Sequence, residues 1–212
     1  MKVLIINPNS SKEMTDAIFT SAKDFVKDRF EVDVTCLLDS PPFIGCYDTI
    51  AQTKDGILNC IKETEENYDA FVIACHLDPN LDAAKGSTNK LVFGIGETSI
   101  KMASMLSDKF SIIGANKNTT SLKKELVDKY GVTSTLRSIQ NPDEENITLS
   151  LEEKLIDAAK KAVFNDGANL IVLGCAGFAG IDKKIEKIVK VPVMDGIICS
   201  LILAEGLLLL KK

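Results

Sequence analysis

Short apolar runs alternate with longer amphipathic segments along most of the chain. The short runs are rich in Val, Ile and Leu and have the length of β-strands, whereas the longer segments carry apolar residues three and four positions apart, as on one helix face. The predicted strands are residues 3–6, 32–35, 70–74, 91–93, 110–113, 132–136, 170–173 and 191–193. The predicted helices are residues 11–29, 49–66, 99–107, 120–129, 150–165 and 181–189. This βαβ alternation, with strands apolar on both faces, predicts an α/β protein with doubly wound, mostly parallel sheets.

Several of these segments recur in the second half of the chain. KVLIINPNS at residues 2–10 matches KFSIIGANK at residues 109–117, Cys75 matches Cys175, and Gly96 matches Gly196. The shared order of these matches predicts two pseudo-symmetric lobes, residues 1–97 with 195–212 and residues 98–194. The run IICSLILAEGLLLL is too short and too interrupted by Glu205 to span a bilayer, so we expect a helix that closes the first lobe.

Composition narrows the functional classes. The chain has 212 residues, of which 45% are hydrophobic, and a net charge of −5. A nucleic-acid surface needs clustered Lys and Arg, so this charge argues against one. The first residues run straight from an apolar stretch into turn residues and predict a strand rather than a signal peptide, hence a cytoplasmic protein. Six cysteines without a CxxC pair are expected to be free thiols, and a single histidine leaves an ordinary zinc site without ligands.

Two cysteines end predicted strands at equivalent places. Cys75 follows FVIA and Cys175 follows LIVLG. Ligands bind beyond the carboxyl ends of parallel strands, so the two sulfur atoms are expected on opposite walls of a cleft between the lobes. A helix start after each cysteine would lower the pKa of the thiol. Opposed acid–base groups can remove a proton from one face of a carbon and return one to the other, which is racemisation without a cofactor.

A carbanion formed between the thiols also needs stabilising donors. The glycine-rich turn around Cys175, with Ala176 and Gly177, presents backbone N–H groups to a developing enolate oxygen, and the turn that contains Asn9 and Ser10 can do the same. Other candidates near the cleft have structural alternatives. His76 adjusts the Cys75 thiol, contacts substrate or caps a turn, and Glu97 either lines the cleft or is a favourable charge in the first turn of a helix. The G-x-G at residues 94–96 lacks the third glycine of a dinucleotide-binding fingerprint.

The chain resembles the Asp/Glu/hydantoin racemase superfamily, and within it most closely the hydantoin racemase-like proteins, which include allantoin racemases. The resemblance rests on the stretches IINPNSS, DSPPFIGCYD, ACHLDPNLDAA, GIGETSIKMA, VLGCAGFAG and VPVMDGIICSLILAE. It implies two-base racemisation of 5-substituted hydantoins or related cyclic ureides by Cys75 and Cys175. It also implies a small-molecule substrate, a homo-oligomer, and no metal, pyridoxal phosphate or nucleotide cofactor.

The chain departs from the family pattern at two places near the expected substrate. His76 and Leu77 stand where many relatives have an aromatic residue and glycine, and Gly114 stands where a threonine is usual. The identity of the substrate therefore stays open. Decarboxylation of a malonate and cis–trans isomerisation use the same scaffold, although two cysteines argue against the single-thiol decarboxylase. An aspartate or glutamate racemase would need more cations for two carboxylates, and a two-lobed binding protein without turnover is a further alternative.

Overall fold

Two four-stranded parallel sheets organise the chain, and a computed structural model describes residues 1–210. The first sheet contains β1 (Lys2–Asn7), β2 (Glu31–Cys36), β3 (Ala70–Ile73) and β4 (Leu91–Gly94) in the order β2-β1-β3-β4. The second contains β5 (Phe110–Gly114), β6 (Leu136–Gln140), β7 (Leu170–Gly174) and β8 (Val193–Asp195) in the order β6-β5-β7-β8. The predicted α/β class with parallel sheets is confirmed.

Helices follow the strands. Those of the first part of the chain are α1 (Lys12–Val26), α2 (Tyr47–Gln52), α3 (Lys54–Thr64), α4 (Leu81–Gly86) and α5 (Ile95–Leu106). Those of the second part are α6 (Thr120–Lys129), α7 (Leu151–Lys160), α8 (Asp182–Val189) and α9 (Gly196–Leu210). The six-residue α4 has too few residues to show a helical period and was not predicted, and the single helix predicted at residues 49–66 is divided between α2 and α3 at Thr53, which is fully buried.

The internal repeat appears in the strand register. Val3 of β1 pairs with Ala70 of β3, and Phe110 of β5 pairs with Leu170 of β7. These pairs are equivalent under the sequence match that places Lys2 on Lys109 and Cys75 on Cys175. The last strands shift by one residue, because Phe71 pairs with Val92 whereas Ile171 pairs with Val193. The match of Gly96 with Gly196 is therefore one residue out of register.

Two predicted strands have shifted bounds. The strand expected at residues 132–136 lies at Leu136–Gln140, because a 3-10 turn at Thr133–Thr135 precedes it. The strand expected at residues 191–193 lies at Val193–Asp195, and Pro192 contributes its carbonyl oxygen to Ile171 just before that strand begins. In both places, β-branched residues that suggested a strand, such as Val132 and Val191, lie in the segment just before the strand.

The helix that follows the last strand of each sheet packs on the other sheet. The buried face of α9 packs on the first sheet, where Ile197 and Leu201 contact the cluster around Val3 and Val72. The buried face of α5 packs on the second sheet with Phe110. The expected closing helix of the first lobe is thus observed. The domain bounds stay a prediction, and residues 211–212, included in the first domain, lie outside the described residues.

The close approach of α5 and α9 depends on a glycine. A Cβ atom at Gly196 would stand 2.7 Å from the carbonyl oxygen of Ile95, which is too close for any side chain. The helices therefore meet at their first turns. Residues at or after the carboxyl ends of strands in both sheets line one cavity. Among residues 1–210, no helix combines the length and the apolar character that crossing a membrane requires.

Candidate functional site

One cavity lies where the carboxyl ends of the two sheets meet. Its empty space of about 370 Å³ includes the open mouth, and the enclosed part is small. Both lobes contribute to it, and its lining residues are Asn9, Met14, Phe43, Ile44, Ala74, Cys75, His76, Leu77, Ala115, Thr119, Lys123, Gly174, Cys175 and Ala176. The cavity is therefore shared by residues that follow strands of both sheets.

Cys75 and Cys175 both line this cavity. Cys75 follows β3 by two residues and Cys175 follows β7 directly; both cysteines are free, and each residue as a whole is intermediate in exposure although its thiol is desolvated. The backbone N–H two residues further on faces each sulfur: Leu77 donates towards Cys75 and Gly177 towards Cys175. The two halves of the repeat therefore present the same local arrangement to one cavity, each from its own sheet.

The expected lowering of the thiol pKa values is not what the structure gives. Burial raises the pKa of Cys75 to about 12 and also raises that of Cys175. A 3-10 turn of three residues, Ala176–Phe178, follows Cys175, and α4 begins six residues after Cys75, so neither sulfur has the N-terminus of a long helix beside it. Desolvation therefore outweighs the backbone N–H donors. The charge of Lys123 opposes this rise in pKa at both thiols without overcoming it.

The loop after β1 places Asn9 in the cavity. The Oδ1 atom of Asn9 accepts hydrogen bonds from Asn7 Nδ2 and from the backbone N–H of Ser11, both at 2.9 Å. These contacts turn the Asn9 Nδ2 group towards the Met14 sulfur, 3.3 Å away, so that a donor faces the site. Ser11, rather than Asn9 or Ser10, caps α1, since its hydroxyl accepts from Met14 N. Ser10 is not among the cavity-lining residues, and its backbone N–H binds Pro41 O.

His76 lies in the cavity wall as a neutral imidazole. It is 2% exposed, and burial holds its pKa well below the usual value. Its Nε2 atom lies 3.3 Å from the Ser99 hydroxyl, whereas Nδ1 has no hydrogen-bond partner among residues 1–210. A buried polar atom without a partner is uncommon in a folded protein. The Nδ1 atom of His76, a residue that lines the cavity, is thus a buried polar atom without a protein partner among residues 1–210.

The structure does not bring Glu97 to the cavity. Its carboxylate pairs with Lys85 and Lys101, and it lines a separate surface depression. Its backbone N–H donates to Asp78 at 2.5 Å, as does that of Gly96 at 3.0 Å. Asp78 therefore caps α5, and Glu97 belongs to the outer side of that helix.

The remaining candidates are divided between the wall and its support. Ala176 lines the cavity. Gly177 lies just behind it, since a Cβ atom there would stand 3.7 Å from the sulfur of Cys175. Gly114 does not line the cavity: a Cβ atom there would stand 2.3 Å from Asn141 Oδ1 and 3.4 Å from Lys123 Cε. Gly114 therefore acts by leaving room for these two side chains.

Lys123 is the residue of this site that the sequence analysis missed. It is 1% exposed, lines the cavity with both cysteines, and donates from Nζ to Gly174 O at 2.6 Å. The signal was available, because Lys123 stands four residues before Val127, an apolar position on the buried face of α6. From the sequence alone, a lysine on an amphipathic helix is assigned to the solvated face.

The whole-chain arrangement matches a known class of fold. An allantoin racemase from Klebsiella pneumoniae has a TM-score of 0.93 with 30% identity, covering 100% of this chain and 89% of that one. A hydantoin racemase from Pseudomonas sp. (strain NS671) is 35% identical over 100% of this chain and 88% of its own length. Another, from Paenarthrobacter aurescens, is 36% identical over 99% of this chain and 92% of its own length. The fold is thus that of the two-lobed racemases.

The family follows from the sequence match. The model described as Asp/Glu/hydantoin racemase matches residues 3–203. The chain belongs to this family, and its enzyme class is that of the racemases, which are isomerases. The resemblance noted from the sequence motifs is confirmed at the level of the family. Among residues 1–210, no group of three or more His, Cys, Asp or Glu side chains is placed to hold a metal ion.

Proposed function

We propose that this protein interconverts the enantiomers of a hydantoin-type cyclic ureide, a 5-substituted hydantoin or allantoin, by proton transfer between Cys75 and Cys175. The observation that carries the proposal is that two cysteines at equivalent strand ends of the two sheets line one cavity. Relatives that are named hydantoin racemases, and a structural neighbour named allantoin racemase, support the substrate class.

The reaction balances with the two thiols alone. The thiolate of one cysteine takes the proton from C5 of the ring, so that an S–H bond forms and the C–H electron pair moves into the adjacent carbonyl as an enolate. The thiol of the other cysteine then gives its proton to the opposite face of C5, the carbonyl reforms, and that cysteine is left as the thiolate. The site therefore works in both directions, with the charge alternating between the two sulfur atoms.

Polar groups of the wall hold the ring during this exchange. We assign the carbonyl oxygen that becomes the enolate to the Asn9 amide and to the backbone N–H groups around Ala176 and Gly177, because donors aimed at developing charge lower the barrier. We assign the ring N–H to the free Nδ1 atom of His76, which in a neutral imidazole with Nε2–H is an acceptor. No step of this scheme requires a cofactor.

The test is solvent exchange with single cysteine variants. Enantiopure 5-substituted hydantoins and allantoin are incubated with the protein in heavy water, and optical rotation and C5 deuterium are followed against a protein-free control. Cys75→Ser and Cys175→Ser are each expected to lose about 10²–10⁴-fold in racemisation. Each variant keeps exchange of the one enantiomer that its remaining thiol faces. Cys46→Ser, at an exposed position outside the cavity, is the matched control.

Several results would contradict the proposal. If either single variant racemises the substrate at the parental rate, the assignment of Cys75 and Cys175 as paired bases is wrong. Turnover of free aspartate or glutamate without turnover of any ureide would contradict the proposed substrate class. Because one thiol must be ionised and the other protonated, the rate is expected to follow a bell-shaped pH profile, and a flat profile across neutral pH would contradict the two-base scheme.

We further propose a cofactor-independent homo-oligomer in the cytoplasm. The free cysteines support a reducing compartment. Self-association is supported by the exposed apolar side chains of Leu207, Leu209 and Leu210 on α9. Light scattering measures the oligomeric state, and cell fractionation measures the location. Activity after dialysis against a chelator shows whether a cofactor is required. A monomer, a membrane-associated protein or an activity lost on dialysis would each contradict its part.

A further inference from the structure

A buried lysine passes a pair of glycines at the carboxyl edge of the second sheet. Gly114 ends β5 and Gly174 ends β7, and the two residues pair in register. A Cβ atom at Gly174 would stand 3.2 Å from Lys123 Cε, and one at Gly114 would stand 3.4 Å from it. The paired glycines therefore leave the passage through which the Lys123 side chain reaches the cavity. Gly114 is also one of the two departures from the family pattern.

The ammonium of Lys123 has unused hydrogen-bonding capacity. Of its three donors, one is accounted for among residues 1–210, by the carbonyl oxygen of Gly174 at 2.6 Å. A buried ammonium is costly unless anions or further acceptors compensate it. No carboxylate lines the cavity in the described part of the chain, and Lys123 is its one lining residue with a charged side chain. The cavity thus has a positive charge without a fixed partner.

The groups that face Lys123 are the two cysteines and Asp78. Each of the three acts on the pKa of Lys123 in the direction that favours the ammonium, whereas burial lowers that pKa. In return, the ammonium lowers the pKa of both thiols, against the larger effect of their burial. His76, which also faces Lys123, is neutral, and Asp78 is engaged by Gly96, Glu97 and the Tyr130 hydroxyl.

We propose that Lys123 is the counterion of the site, which favours the thiolate form of the cysteine that acts as the base and, where the proposed racemisation is correct, then balances the enolate formed by proton abstraction. During proton abstraction the negative charge moves from sulfur to the substrate oxygen, and during return of the proton it moves to the second sulfur. An ammonium that lines the same cavity as both cysteines is a partner for each of these three species. This part of the mechanism rests on the proposed function, whereas the ionisation of the thiol does not.

The first measurement uses the unaltered protein without substrate. Iodoacetate and iodoacetamide are similar in size, but only the first is an anion, so a cation at the thiols accelerates the first relative to the second. Mass spectrometry after partial alkylation gives both rates at each cysteine. The ratio of the iodoacetate rate to the iodoacetamide rate is expected to be higher at Cys75 or Cys175 than at the exposed Cys46, which is the internal reference.

The second measurement compares lysine variants. Lys123→Met keeps the length of the side chain and removes the charge, and Lys124→Met, at an exposed position of the same helix, is the matched control. The pH midpoint of iodoacetamide alkylation at Cys75 or Cys175 is expected to rise by about one unit or more in Lys123→Met, which is about a tenfold lower rate below the midpoint. Lys124→Met is expected to retain the parental midpoint.

The outcomes separate this inference from the proposed function. If Lys123→Met folds, an unchanged midpoint at both cysteines overturns the inference, whatever ureide the protein does or does not racemise. If Lys123→Met does not fold, the test rests on alkylation of the unaltered protein. A ratio of the iodoacetate rate to the iodoacetamide rate that is no higher at Cys75 and Cys175 than at Cys46 then overturns the inference. A raised midpoint in Lys123→Met, found together with no turnover of ureides by the unaltered protein, supports Lys123 as the counterion and shows that the proposed substrate class is wrong.

Discussion

The glycine that precedes Cys175 offers a sharp test of how the sheet sets the site. In Gly174→Ala, the new Cβ atom would stand 2.7 Å from the backbone carbonyl oxygen of Ile113 and 2.8 Å from Ile112 Cγ2. Ordinary contact begins at 3.4 Å, so β7 and β5 must separate by about 0.7 Å. Since the carbonyl belongs to the backbone of the neighbouring strand, no side-chain rotation relieves this contact.

The cost follows from this displacement. Overpacking a close-packed interior typically costs about 1–3 kcal/mol. For a chain of this length, each kcal/mol lowers the melting temperature by about 2–4 °C, so a decrease of about 2–12 °C is expected. The shift also moves Cys175, the next residue, and Gly174 O, the acceptor of Lys123. Misplacement of a reacting group by about 1 Å can cost 10²-fold, so we expect a loss of about 10–100-fold in kcat/KM for racemisation.

Thermal unfolding followed by circular dichroism gives the stability, and polarimetry gives the rate. The matched control is Gly86→Ala at the exposed end of α4, where a Cβ atom would meet nothing within 4 Å. This control is expected to retain the parental rate and to gain up to about 1 kcal/mol, because alanine favours the helix over glycine. A Gly174→Ala protein with the parental melting temperature and rate would refute the packing argument.

Three further predictions concern residues away from the cavity. Glu97→Gln breaks the ion pairs with Lys85 and Lys101 but leaves the cavity unchanged, so the racemisation rate should stay within about twofold of the parental rate. A large loss of rate would mean that Glu97 contributes to the active site. Ser150→Ala removes the capping box of α7 and should cost about 1 kcal/mol in the free energy of unfolding measured with urea; an unchanged value would contradict the cap. Burial raises the pKa of Asp195 to about 6, above its ordinary 3.8, so the folded state favours the protonated acid and this stabilisation is lost as the pH rises through 6. Relative to Asp195→Asn, the parental protein should therefore gain stability between pH 7 and pH 4, and the opposite trend in urea unfolding would contradict this sign.

The fold could be predicted because its pattern is local. Alternation of short apolar runs with helical periods is written in neighbouring residues, and the repeat of KVLIINPNS and of the runs before Cys75 and Cys175 carries the two-sheet topology. The bounds of β6 and β8 differ from those predicted, since a β-branched residue before a strand gives the same local pattern as one inside it. Which residues join the ladder is decided by the partner strand.

The candidate site was only partly accessible in this way. The sequence by itself determined that two thiols end equivalent strands, and it pointed to the loop with Asn9 and to His76. Only the tertiary structure decided that Glu97 turns outwards and that Lys123 turns inwards, because a charged residue on a helix is assigned to solvent unless the gap that receives it is known. That gap is formed by Gly114 and Gly174, which are 60 residues apart in the chain and meet only when β5 pairs with β7. The ionisation of the thiols is likewise tertiary, since burial raises their pKa values and the opposing charge comes from a different helix.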